Sequence, residues 1–285
     1  MTNQPVSSAE LTGLWRCLHP KISHDTLSEH LISNEAKRQS VAFIDAHQYP
    51  LIARKISARA GHIFNEALRL IDVGDCDSII SFACGYSMLG FLISQAVHKP
   101  IKVIDTDLED ILADRQGRFK QLPLNKNQTA ALSRVEHTAF DIEKAASEDI
   151  DLASFFAGCK RPVVILEGIT YFLKPETRDW MINALQQWHE ASVIIDYWSE
   201  NSLEISEKLK KSFEADLNKD FKENLKSFML DEHINALKAK YDAKDIGVGE
   251  AEAILSSEIN EPRQLVDQNE YYPIRIFTGA SKVVT

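Results

Sequence analysis

Residues 78–107 read SIISFACGYSMLGFLISQAVHKPIKVIDTD, and this stretch decides the fold. Ser78–Ala83 is a short apolar run that predicts a buried strand, broken at Cys84-Gly85-Tyr86-Ser87. Met88–Val97 has the length and composition of a helix. A second buried run follows at Ile101–Asp105, and Asp107 stands just past its end. Strand, small-residue turn, helix, strand and acid form an arrangement that suits a nucleotide-like ligand. The turn lets the backbone approach the ligand, the helix N-terminus offers unpaired N–H groups, and the acid can accept both ribose hydroxyls. Asp107 lies 22 residues after Gly85, against the roughly 20 expected for that role.

The turn departs from a full dinucleotide fingerprint. It has Gly85, then Gly90 five residues on, and Ala83 occupies the place of the first glycine. A pyrophosphate on the helix N-terminus calls for the stricter three-glycine pattern, so a nicotinamide oxidoreductase fits poorly. A looser turn suits a ligand without that diphosphate, and S-adenosylmethionine (SAM) leads among these. The alternative is an ordinary βαβ unit with a small-residue turn.

Val163–Leu166 and Ser192–Ile195 are two more short, β-branched runs, and Val135–Phe140 is a weaker strand candidate. Arg178–Gln187 reads as a helix, with Pro175 in its first turn. Strands separated by helix-length segments predict a parallel sheet covered by helices. Before it, Leu27–Phe43 and Leu51–Leu70 carry apolar residues at helical spacing, with Pro50 between them. Residues 1–77 are therefore expected to form an N-terminal helical extension, and 78–285 the core. Ser206–Asp220 and Asp231–Ala243 are rich in Lys, Glu and Asp and predict exposed helices within an insertion at about 199–260, a cap or a solvated hairpin. Tyr271–Thr278 predicts a closing strand whose Pro273 favours an edge or a strand start.

The 285 residues are 44% hydrophobic and 26% charged, enough for a sizeable core. A net charge of −10 argues against a general nucleic-acid-binding surface. Cys17, Cys76, Cys84 and Cys159 make no C-x-x-C pair and sit near no histidines at zinc spacing, so no metal site is expected and buried thiols are. No apolar run reaches membrane-span length, and Met1–Ser8 lacks the basic and apolar regions of a signal peptide. The expectation is a soluble, reduced, cytoplasmic protein without membrane contact.

With these positions located, the chain resembles the leucine carboxyl methyltransferase-like family of class I SAM-dependent methyltransferases, which includes polyketide-type O-methyltransferases. Ile56–Ala67, with Arg59, is similar to the family's helix bearing an arginine before its F-D pair, although Asn65 stands where the acid usually is. Ser81–Ser87 is similar to the L-G-x-G-x-D-T turn, with Ala83 and Ser87 as departures. Val103–Leu108 partly matches V-D-x-P. Val164–Pro175 is the best match, similar to E-G-x-x-x-Y-L-x-P through Glu167, Tyr171 and Pro175.

The resemblance implies a Rossmann-like, mostly parallel seven-stranded sheet with helices on both faces. It also implies roles for single residues. Arg59 would hold the methionine carboxylate of SAM, a task suited to guanidinium's planar donors. Ala83, Cys84 and Gly85 would line the turn beside the cofactor, and Asp107 and Leu108 would take the ribose end. Asp141 would meet the adenine amino group with the Ile142 N–H nearby, unless Asp141 simply caps the segment that follows. Glu167 would fix the ammonium end, and Lys37 loosely matches an N-terminal basic position.

Methyl transfer from a sulfonium needs alignment above all. A carboxylate acceptor needs no base, whereas an alcohol or phenol does. The nine histidines are scattered and none shows a paired acid at telling spacing, which favours a carboxylate. Tyr171 and Trp198 are the acceptor-pocket candidates. The expected function is O-methyl transfer to a small molecule or peptide terminus. Ala83 and Ser87 raise the alternative of a degenerate cofactor-binding fold that serves as a partner-binding module.

Overall fold

Seven strands form one sheet in the order β3-β2-β1-β4-β5-β7-β6. They are β1 (Ser78–Phe82), β2 (Lys102–Asp107), β3 (Val135–Ala139), β4 (Pro162–Leu166), β5 (Ser192–Trp198), β6 (Tyr241–Gly247) and β7 (Ile274–Ser281). Strands β1 to β5 are mutually parallel, and β7 runs antiparallel to both β5 and β6. Every residue of β1, β4 and β5 is buried. Parallel strands covered on both faces read as near-continuous apolar runs, which is why these were legible in the sequence. The computed structural model describes residues 8–47, 51–198, 215, 218–219, 224–265 and 274–282.

The helices are α1 (Ser8–Cys17), α2 (Pro20–Ser23), α3 (Asn34–His47), α4 (Ile52–Val73), α5 (Leu89–Ala96), α6 (Glu109–Phe119), α7 (Lys126–Leu132), α8 (Ile142–Ser147), α9 (Leu152–Phe155), α10 (Pro175–Gln187), α11 (Asp231–Lys240) and α12 (Val248–Glu258). Alternate strand residues divide the core between the two faces of the sheet. Ile79, Val103, Val163, Ile165 and Ile194 pack against the N-terminal helices, α4, α5 and α12. Ile80, Phe82, Ile104, Val164, Leu166, Val193 and Ile195 pack against α8, α10 and α11. Pro175 opens α10, where its missing N–H costs nothing. Among the described residues no helix is long and apolar enough to cross a membrane.

Three expectations need correction. The helix read over Leu27–Phe43 begins only at Asn34, because Ser28–His30 is a 3-10 turn held by Asp25, which accepts the N–H groups of Leu27 and Ser28. The helix read over Asp231–Ala243 ends at Lys240, and Tyr241–Gly247, inside the stretch read as a helical insertion, is the edge strand β6. Lys240 caps the C-terminal carbonyls of α10 at Leu185, Gln186 and Trp188. The strand read over Ser192–Ile195 runs on to Trp198, the final residue of β5. The helix read over Ser206–Asp220 lies almost wholly outside the described residues.

The strand order reverses between β1 and β4, so a crevice opens beyond their C-terminal ends. Helix α4 forms one wall. Its Arg54 forks onto Glu252 of α12 at 2.8–2.9 Å, and its Ser57 hydroxyl donates to the carbonyls of Trp15 and Arg16. A Cβ added at Gly61 would lie 1.9 Å from the Ile22 carbonyl oxygen. That close approach seats α2 against α4. Gly61→Ala is expected to cost about 1–3 kcal/mol, since backbone must move to admit the methyl. A chemical-denaturation midpoint equal to wild type would contradict this packing.

Candidate functional site

The turn after β1 is set by two left-handed residues, Ala83 (φ +49°) and Gly85 (φ +50°). Glycine reaches this region freely, but for alanine it costs about 1–2 kcal/mol. Neighbouring bonds hold the conformation. Cys84 N–H donates to the Thr106 carbonyl at 2.9 Å, and Ser87 N–H to the Cys84 carbonyl at 2.9 Å. Ser87 Oγ accepts the Leu89 N–H at 3.2 Å, which starts α5. Asp107, at the end of β2, points back to the turn. Its Oδ2 accepts the Gly85 N–H at 2.7 Å and its Oδ1 the Leu108 N–H at 2.8 Å. Burial pushes the Asp107 carboxyl up from its usual range, opposed by those two N–H groups and by Arg115. Each oxygen keeps acceptor capacity for a ligand hydroxyl.

A buried charge cluster forms the opposite end. Arg59 of α4 donates Nε and Nη2 to Glu167 Oε1 at 3.3 and 3.2 Å. Its Nη1 donates to the Tyr171 hydroxyl at 3.0 Å and to Asp196 Oδ2 at 3.1 Å. Arg16 of α1 donates Nη2 to the same Glu167 Oε1 at 2.8 Å. The Gly168 N–H donates to Asp196 Oδ1 at 2.5 Å, and Gly168 takes φ +74° beside the Arg59 guanidinium. Two cations meet two anions, so the cluster is balanced. Burial alone would raise the Glu167 carboxyl, yet the two arginines outweigh it and hold it below its ordinary value. Burial pushes the Tyr171 hydroxyl up, so it stays protonated. The Nε of Arg16 is buried without a partner, and all three donors to Glu167 fall on Oε1.

Between the turn and this cluster lies a cavity of about 480 Å³. Arg59, Ala83, Cys84, Gly85, Asp107, Glu167, Tyr171 and Trp198 all line it, together with Arg16, Lys55, Trp15, Phe172 and Ile274. Of the described residues lining it, none is histidine. A second hollow, about 720 Å³, is lined by Leu108, the residue after Asp107, and by Asp141, Phe140 and Phe155. Asp141 lines that hollow and also caps α8, its Oδ1 accepting the Lys144 N–H at 3.1 Å. Ile142 packs its side chain into the core under α8. Lys37 sits half-buried on α3 and lines neither hollow; the N-terminal basic residue that reaches the cavity is Arg16.

Sequence reading missed Arg16, Lys55, Arg115 and Asp196. Asp196 left a signal, because an acid interrupts the apolar run of β5 and a fully buried carboxylate needs a partner. Arg16 left none, since Leu-Trp-Arg-Cys-Leu at 14–18 is ordinary helix composition.

With this geometry in hand, comparison with known proteins gives three results. The sequence pattern of the leucine carboxyl methyltransferase family matches residues 9–186. No curated protein sequence matches the chain. Among solved structures, a candidate methyltransferase from Thermobifida fusca is similar over 99% of this chain and 97% of its own, with a TM-score of 0.62 at 9% identity. Magnesium protoporphyrin IX methyltransferase from Synechocystis PCC 6803, solved with SAH, is similar over 87% and 95%, with a TM-score of 0.48 at 11% identity. Human N-acetylserotonin methyltransferase, solved with SAM, is similar over 84% and 62%, with a TM-score of 0.45 at 7% identity.

The turn makes its own stability prediction. Ala83→Gly removes the left-handed alanine penalty and adds back some chain entropy, so it should stabilise by up to about 1 kcal/mol, a rise of a few degrees in Tm. Gly85→Ala should do the reverse, since its new Cβ would meet Ala9 Cβ at 3.2 Å as well as the strained φ. Differential scanning calorimetry of both variants decides it. A destabilised Ala83→Gly would show that the turn is not strained.

Proposed function

The chain belongs to the leucine carboxyl methyltransferase family, and from that premise we propose that it moves the methyl group of SAM to an oxygen of a small molecule or peptide terminus, a carboxylate first among acceptors. One observation carries this reading: a single cavity has a ribose-type aspartate at one end and a two-arginine, one-glutamate cluster at the other. A zwitterionic amino-acid head needs both signs of charge close together, and this cluster offers them. The buried Arg16 Nε–H and the remaining Nη2 proton of Arg59 suit a carboxylate, while Glu167 Oε2 suits an ammonium. Asp107 suits the ribose hydroxyls. The hollow at Leu108, Asp141 and Phe155 suits a flat base.

When bound there, SAM supplies a methyl group already activated by its sulfonium. The protein's part is to orient and to keep water out. Trp15, Phe172, Trp198 and Ile274 give the cavity apolar walls. Alignment of this kind contributes on the order of 7–11 kcal/mol in favourable cases. No histidine is among the described residues that line the cavity. Tyr171 is held protonated, and Glu167 is committed to two arginines. An acceptor that arrives as a carboxylate needs no base. Ala83 and Ser87, which raise the alternative of a partner-binding module, both sit inside the bonded turn, so turnover remains the better-supported reading. The four cysteines are free thiols, which suits a reducing, cytoplasmic setting.

Calorimetric titration with SAM or S-adenosylhomocysteine tests the proposal, and no heat at millimolar ligand would sink it. Asp107→Ala should weaken binding about tenfold or more, because hydrogen bonds to a charged group are lost. The pH dependence has a fixed sign. Only ionised Asp107 accepts both hydroxyls, and burial raises its pKa. Affinity should therefore be flat at neutral pH and fall on acidification through that raised pKa. In Asp107→Asn this acid limb should vanish.

A further inference from the structure

We infer that Arg115 of α6, paired with Asp105 of β2, is the positioning residue that holds the cofactor turn in its binding shape. The inference rests on the SAM reading above. Alternation along β2 places Val103, Asp105 and Asp107 on one face, so Asp105 lies one step beneath the ribose-type acid and in register with Ser81 of β1. Asp105 is 1% exposed and Arg115 is 0% exposed. Their Nη2–Oδ2 distance is 2.7 Å. The same Nη2 donates to the Ser87 carbonyl, and Nη1 donates to Cys84 Sγ at 3.3 Å. One guanidinium thus ties a sheet strand to both ends of the turn. Its other face lies over the Phe119 ring, with Cζ 4.7 Å from the centroid.

Neither Arg115 nor Asp105 lines the cavity, so their action on a ligand passes through the turn and through Asp107. The fit is close. A Cβ added at Gly90 would come within 2.3 Å of Asp105 Oδ1, so α5 comes down directly on the pair. The turn has need of such support, since Ala83 is left-handed and Ser87 stands where the family pattern carries an acid. Lysine could not do the same work. It is a point charge without the planar fork that reaches an acid and a carbonyl together.

Charge gives a second, separable effect. Asp107 is faced by Arg115 and Asp110 from α6, by the Gly85 N–H and Cys84 thiol of the turn, and by the Leu108 N–H. Among these Arg115 is the one cation, and it favours the ionised acid. Two variants separate geometry from charge. Arg115→Lys keeps the charge and loses the fork. The double variant Asp105→Asn/Arg115→Gln removes both charges, so neither is left buried alone.

The experiment is calorimetric titration of each variant with S-adenosylhomocysteine across pH, alongside thermal melts to confirm folding. Arg115→Lys should bind about tenfold more weakly at neutral pH, with its acid limb where wild type has it. The double variant should bind more weakly and show the acid limb displaced to higher pH. Wild-type affinity and an unmoved limb in the folded double variant would overturn the inference, as would wild-type affinity in Arg115→Lys. Absence of binding by the wild-type protein would instead mark failure of the cofactor reading, and would take this inference with it.

Discussion

Glu167 is the residue on which the arrangement turns. A carboxylate with almost no solvent contact must be compensated by charge, and two guanidiniums from different parts of the chain converge on one of its oxygens. Arg16 arrives from α1 and Arg59 from α4. Asp196 then answers the second positive charge and binds the Gly168 N–H that follows Glu167. Removing one member of such a cluster costs about 3–5 kcal/mol, because a charge is left buried and alone. The cluster therefore fixes four elements relative to one another before any ligand arrives. Its cost in desolvation is hard to explain by stability alone, since an apolar replacement of equal volume would hold a core as well.

The two ends of the cavity are built from different materials. At the turn, backbone dominates: two left-handed residues, N–H groups aimed at Asp107, and a helix start. At the cluster, side chains dominate, and four of Arg59's five donors are already engaged. A ligand head entering there meets a site already in charge balance. It can add to the cluster only through what is unspent, chiefly Arg16 Nε and Glu167 Oε2. A group bearing both signs preserves the balance, whereas a lone anion or cation would break it. That is a physical reason to favour an amino-acid head over a simple carboxylate at this end.

Strands β1 and β4 and the first four residues of β5 were readable because they are buried on both faces and their apolar runs are near-continuous. Strand β6 was not, because Tyr241–Gly247 is an edge strand with exposed polar residues and its composition continues that of α11. Among the residues that line the cavity, Gly85 and Asp107 were legible through spacing, and Glu167 and Tyr171 through their shared motif. Arg16, Arg115 and Asp196 act through contacts across 151, 28 and 137 residues of chain, to Glu167, Ser87 and Arg59 respectively, and local pattern carries little of that. Lys37 shows the opposite failure. It has the right charge in roughly the right stretch, and the fold places it elsewhere.

The N-terminal helices are part of the site. Ala9 sits against Gly85 of the turn, and Arg16 reaches Glu167 at the other end. Arg16 lies seven residues after Ala9, a helical rise of roughly 10 Å, so α1 spans the cavity from one end to the other. Its own position is set by Ser57, whose hydroxyl donates to the Trp15 and Arg16 carbonyls. The packing of α1 on α4 therefore sets the length of the cavity, and a sheet without α1 would keep Asp107 and lose Arg16. The end of the cavity that carries Arg16 therefore depends on this helix.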